Sequence, residues 1–156
     1  MIILIEGVDG SGKSTLCKQL TLEGYILTDV PQGVHQSEEY RGKAVSDNIY
    51  ICDRSFISDL VYRLEDGKPR RGMDIYSMVK VLSEGVKVIF CHTDTSYEDS
   101  MARGEDNITD KSRNLAINHL YNIVYRLLKI FANVPVIDYN WKTDDISDVI
   151  KFIERR

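Results

Sequence analysis

The chain has little of several features that would settle its class at once. No apolar run approaches the roughly 20 residues that a membrane-crossing helix needs. Neither sign of charge dominates, because 20 Lys and Arg stand interspersed with 24 Asp and Glu for a formal net charge of −4. That balance excludes a surface built for nonspecific nucleic-acid binding and leaves anion recognition to local positive clusters. Cysteine is scarce: Cys17, Cys52 and Cys91 are odd in number, widely spaced and set in apolar segments. They read as reduced core thiols, not as a disulfide framework or a metal nest. No repeat or low-complexity tract interrupts the chain. The opening Met1-Ile2-Ile3-Leu4-Ile5 carries no basic leader and no cleavage site, so a buried strand and a cytosolic protein are expected, with no membrane partner.

What remains is a pattern of alternation. Residues 1–156 suffice for one domain with its own core. Short apolar runs at Ile2 to Glu6, Tyr25 to Thr28, Asn48 to Cys52, Val86 to Cys91 and Val136 to Tyr139 predict five strands. Helical patterns fall between them, near Lys13 to Glu23, Ser37 to Ser46, Ser55 to Glu65, Asp74 to Glu84, Tyr97 to Arg103, Asp110 to Ala132 and Asp144 to Glu154. In the first of these helices, Leu16, Leu20 and Leu22 form the expected sheet-facing stripe. Strands alternating with helices predict an α/β fold with a parallel sheet covered on both faces. Ligands then collect beyond the carboxyl ends of the strands, so polar residues there carry the functional information.

One such end is Glu6-Gly7-Val8-Asp9-Gly10-Ser11-Gly12-Lys13-Ser14-Thr15, which contains the phosphate-loop pattern G-x-x-x-x-G-K-S/T between a strand and a helix. Glycines at 7, 10 and 12 let successive backbone N–H groups, including that of Ser11, point inward around a triphosphate. Lys13 supplies a charge for the β and γ oxygens and Ser14 a hydroxyl for Mg²⁺. The helix opening at Ser14 or Thr15 adds the positive end of its dipole. ATP and Mg²⁺ are the implied cofactors.

A second strand ends in Asp53-Arg54-Ser55-Phe56-Ile57-Ser58-Asp59-Leu60-Val61-Tyr62. An Asp there can hold Mg²⁺, and Arg54 offers a planar fork to a phosphate. Arg54, Ser58 and Tyr62 are spaced four apart, which predicts one shared helix face. This segment resembles the D-R-Y/F/H-x-x-S-x-x-A-Y of thymidylate kinases, whose phosphate loop the first motif matches almost residue for residue. The resemblance implies a P-loop kinase fold with strand order 2-3-1-4-5, phosphoryl transfer from ATP to a deoxynucleoside monophosphate, and a homodimer. It is a short form, of a build a virus could encode. Asp9 would touch the acceptor sugar; Arg54, Ser58 and Tyr62 would face the acceptor. A lid near 103–113 would supply the catalytic Arg, with Arg103 first, Arg113 second and Lys111 behind. Asn140, after the last strand, would lie near adenine, and Trp141 is as well suited to cover the core edge.

The pattern also departs from that family. Where thymidylate kinases carry a T-R-E-P-G-G-like segment, this chain reads Thr28-Asp29-Val30-Pro31-Gln32-Gly33, and the stretch from Pro31 to the Asp53 strand is short. Tyr40, Arg41, Arg63, Arg70 and Arg71 are candidates to replace the missing base-recognition elements. Arg54-Ser55-Phe56-Ile57-Ser58-Asp59 is also similar to the E-R-S-x-x-S-D of deoxynucleoside kinases. That resemblance implies Asp59 at the base and Asp29 as the group taking a proton from a 5′-hydroxyl. An exposed pairing of Asp59 with Arg63 is the structural alternative. A third reading is a nucleotide-binding module that has lost catalysis.

Overall fold

The computed structural model describes residues 1–30, 36–67, 73–104, 110–131 and 133–155. Five strands, β1 (Ile2–Glu6), β2 (Ile26–Leu27), β3 (Tyr50–Asp53), β4 (Val86–Cys91) and β5 (Val136–Tyr139), form one parallel sheet in the order β2-β3-β1-β4-β5. Seven helices connect and cover them: α1 (Lys13–Leu22), α2 (Gln36–Ala44), α3 (Phe56–Asp66), α4 (Ile75–Leu82), α5 (Ser96–Ala102), α6 (Lys111–Phe131) and α7 (Ile146–Glu154). The predicted fold class and strand order are those observed.

The central strand shows why both faces must be covered. Side chains alternate across a strand, so Ile2 and Leu4 point to one face and Ile3 and Ile5 to the other, and all four are fully buried. Ile2 and Leu4 join a cluster with Phe56, Ile57 and Val61 of α3, Met78 and Val81 of α4 and Ile117 of α6. Ile3 and Ile5 pack with Leu16 and Leu20 of α1 and Val149 and Ile153 of α7. Each such side chain contributes roughly 2 kcal/mol of burial. Lys87 lies on this second face but reaches the end of α7. Its ammonium donates to the Phe152 and Ile153 carbonyls at 2.7 and 2.8 Å, where a helix presents its negative end. All three cysteines are buried and unpaired.

Three local expectations are corrected. Leu22 does not complete the α1 stripe: it lies at the last turn and is 87% exposed, while Cys17 fills the buried face with Leu16 and Leu20. The edge strand β2 shrinks to two residues, although Thr28 N still bonds Ile51 O at 2.9 Å. α3 begins at Phe56, with Ser55 as its N-cap, so Arg54 precedes the helix and shares no helical face with Ser58 and Tyr62. The expected Pro31-Gln32-Gly33 segment, Arg70 and Arg71, and lid residues 105–109 lie outside the described residues. Among the described residues no helix is long and apolar enough to cross a membrane.

Candidate active site

The carboxyl ends of β1 and β3 lie side by side, because Ile5 pairs with Asp53 and Arg54 N donates to Ile5 O at 3.0 Å. That register brings the two sequence motifs together around a cavity of about 500 Å³, lined by Asp9, Gly10, Gly12, Lys13, Ser14, Leu27, Asp29, Asp53, Arg54 and Arg103. Gly7 and Ser11 complete the loop behind this wall, and Thr15 follows, exposed, on α1.

The loop is tight. Gly10 has φ 83°, and a Cβ there would lie 1.8 Å from the Ser96 carbonyl oxygen at the start of α5. A Cβ on Gly12 would meet the Trp141 ring at 2.3 Å. Trp141 therefore stands beside the amino end of α1, 38% exposed, rather than over the core edge. Lys13 is buried, its Nζ donating to Val8 O at 2.8 Å inside the loop. Burial, with Arg54 nearby, pushes its pKa down to about 8 against the opposing pull of Asp9 and Asp53. Ser14 Oγ donates to Asp53 Oδ2 at 3.1 Å. The other oxygen, Asp53 Oδ1, is buried and makes no hydrogen bond among the described residues. A hydroxyl beside a half-satisfied carboxylate is a donor set suited to a hard, oxygen-seeking cation that keeps other ligands on phosphate and water. No larger cluster of His, Cys, Asp and Glu able to hold a metal occurs among the described residues.

Arg54 sits in the left-handed region with φ 71°, a conformation that costs a non-glycine residue roughly 1–2 kcal/mol. Its guanidinium is fixed from two sides, by an ion pair with Asp9 and by a 3.3 Å bond to the Tyr62 hydroxyl, with the Tyr62 ring centroid 5.6 Å away. Asp9, Arg54 and Tyr62 thus form one group. Asp29 lies on the exposed rim, at the end of β2.

Several candidates are engaged elsewhere. Ser58 is buried, its hydroxyl turned to Glu6 and Tyr121 and away from the cavity. Asp59 is half-buried on α3 and does not line this cavity, and its backbone carbonyl accepts from Arg63 Nε at 3.3 Å. Asn140 Oδ1 accepts from Lys142 N at 3.1 Å, tying its side chain into its own turn. Arg113 makes a two-pronged bond to Glu65, and Lys111 pairs with Glu98 at 2.6 Å. Arg103 is the lid candidate that reaches the cavity wall. Of the proposed base-recognition residues, Tyr40 is buried against Phe56 and Arg41 pairs with Glu84.

Sequence reasoning missed Glu6 and Lys142. Lys142 Nζ pairs with Asp99 at 2.7 Å and also reaches Thr95, joining the turn after β5 to α5. Glu6 is fully buried, and a lone acid closing an aliphatic strand was the visible signal. Desolvation pushes its carboxyl up to about 7 from an ordinary 4.5, against opposing hydroxyl bonds from Ser55 and Ser58 and the charges of Arg54 and Lys13. Cys52, Cys91, Tyr40 and Tyr121 also feel its charge. Folding therefore favours the neutral acid. Its contribution to stability is fully present below about pH 4.5, falls as pH rises and is gone above about 7, a span worth about 3 kcal/mol. Urea titrations of wild type and Glu6→Gln across that window check this: the difference should flatten in the variant.

This architecture, with a glycine loop at the sheet's switch point, is the P-loop kinase fold. Solved structures of that fold match nearly the whole chain. YorR from Bacillus subtilis, in complex with phosphorylated GDP, superposes with a TM-score of 0.72 and 24% identity over 98% of this chain and 95% of its own. Deoxyadenosine kinase from M. mycoides, with product dCMP, gives 0.61 and 16% over 99% and 95%. Thymidylate kinase from Ehrlichia chaffeensis gives 0.52 and 19% over 99% and 98%. No protein-family model matches the chain, and no curated protein matches it by sequence.

Proposed function

We propose that residues 1–156 act as one kinase domain that transfers the γ-phosphoryl group of ATP to a deoxynucleoside monophosphate. The observation that carries this reading is the single cavity in which Lys13, Ser14 and Asp53 meet Arg54 and Arg103. Loop amides and Lys13 bind the donor phosphates, Lys13 exchanging its Val8 carbonyl for phosphate oxygens. Ser14 and Asp53 are the residues that would hold Mg²⁺, which when bound neutralises charge on the donor phosphates. Arg54, aimed by Asp9 and Tyr62, grips the acceptor phosphate, and Arg103 stabilises the charge spread over the transferring group. An anionic acceptor oxygen needs no strong base, so positioning and electrostatics suffice. Two of the neighbouring structures, a deoxyadenosine kinase and a thymidylate kinase by name, support the same class, and YorR holds a phosphorylated nucleotide.

Asp29 favours a second reading. A carboxylate on the cavity rim is placed to take a proton from the 5′-hydroxyl of a deoxynucleoside, as the deoxynucleoside kinase resemblance implies. Labelled γ-phosphate transfer to a panel of deoxynucleosides and their monophosphates separates the two. Transfer to monophosphates is expected, with Asp29→Asn within about tenfold of wild type; loss of a general base would cost about a hundredfold or more. Transfer to nucleosides alone would reject the first reading. Triphosphate binding without any transfer would leave a binding module.

A further inference from the structure

Glu6 ends β1 and is followed directly by Gly7, the first residue of the phosphate loop. Its carboxylate accepts from two hydroxyls, Ser55 Oγ and Ser58 Oγ, the second at 2.5 Å. Ser55 is the N-cap of α3, its Oγ also accepting from Ile57 N at 3.2 Å, and it follows directly on the strained Arg54. Ser58 Oγ continues to the Tyr121 hydroxyl of α6 at 2.8 Å. The network is buried throughout, and an aliphatic residue at position 6 would avoid desolvating a carboxyl. Nothing in packing alone asks for an acid here. What the acid does is staple the root of the phosphate loop to the turn that carries Asp53 and Arg54.

We infer that Glu6 is a positioning residue: through Ser55, which follows directly on Arg54, and through Ser58 it fixes Arg54 against the phosphate loop, and so sets acceptor binding, while Asp53 keeps its own tie to Ser14. The inference rests on the kinase reading above. It acts on the acceptor side because the hydroxyls it holds belong to α3 and its cap, whereas the donor-binding Lys13 and Ser14 ride on α1.

Glu6→Gln preserves volume and replaces one of the two oxygens that accept from the hydroxyls by an amide donor. The acceptor KM should rise about tenfold, with the ATP KM within about twofold of wild type. Independently of activity, amide hydrogen exchange at Ile57 and Asp59 should accelerate about tenfold or more, with Leu16 of α1 unchanged. Ser58→Ala, a gentler change, should move the acceptor KM and the same amides in the same direction by less. An equal rise in both KM values, or unchanged exchange at Ile57 in a folded Glu6→Gln, overturns the inference. If wild type transfers no phosphate, the kinase reading fails, and the exchange pattern alone decides whether Glu6 holds the turn.

Discussion

Alanine at position 103 is expected to slow phosphoryl transfer about a thousandfold, within the range that a charge-stabilising arginine supplies. Triphosphate binding should change by about tenfold at most, because the loop amides and Lys13 supply the ground-state contacts. Placement sets Arg103 apart. Of the three lid cations, Arg113 spends its fork on Glu65 and Lys111 its ammonium on Glu98, whereas Arg103 lines the cavity with its Nε anchored to Asp99 O at 3.1 Å. Single-turnover rates with ATP and the preferred acceptor check it. Should Arg103→Ala remain within tenfold while Arg113→Ala collapses, the duty belongs to Arg113, after release from Glu65.

The largest effect on stability is expected from Gly10→Ala. Its φ of 83° is costly for any L side chain, and the added carbon would sit 1.8 Å from the Ser96 carbonyl oxygen, a backbone atom that cannot rotate away. Strain and overpacking together should cost on the order of 4 kcal/mol. That is a large share of the roughly 5–15 kcal/mol that holds a domain folded. Urea unfolding measures it directly. A loss under about 1 kcal/mol would mean that the loop and α5 are not pressed together as described.

The sheet was legible because its signals are local and redundant. A strand such as Ile2 to Ile5, apolar on both faces, has few other homes, and G-x-x-x-x-G-K-S fits one kind of turn. The Asp53-Arg54 pair was legible for the same reason, since strand ends at the switch point are where ligands collect. Side-chain destinations were not. Spacing placed Arg54, Ser58 and Tyr62 on one face, but the helix starts two residues past Arg54, and Ser58 turns inward to a partner 52 positions away. Leu22 misled because a helix's last turn can outrun the sheet it covers, leaving its apolar side chain in solvent. Glu6 escaped notice because its partners lie on α3, and no pattern in its own strand predicts them.

The short helix α5 has a consequence of its own. Its front turn touches Gly10, Lys142 grips it midway at Asp99, and Arg103 sits at its rear. Ser96 at that front turn is also tied to Asn114, and Glu98 to Lys111, so both flanks of the helix are moored and it is held as one body. It acts as a spacer, fixing how far the arginine stands from the glycine cradle.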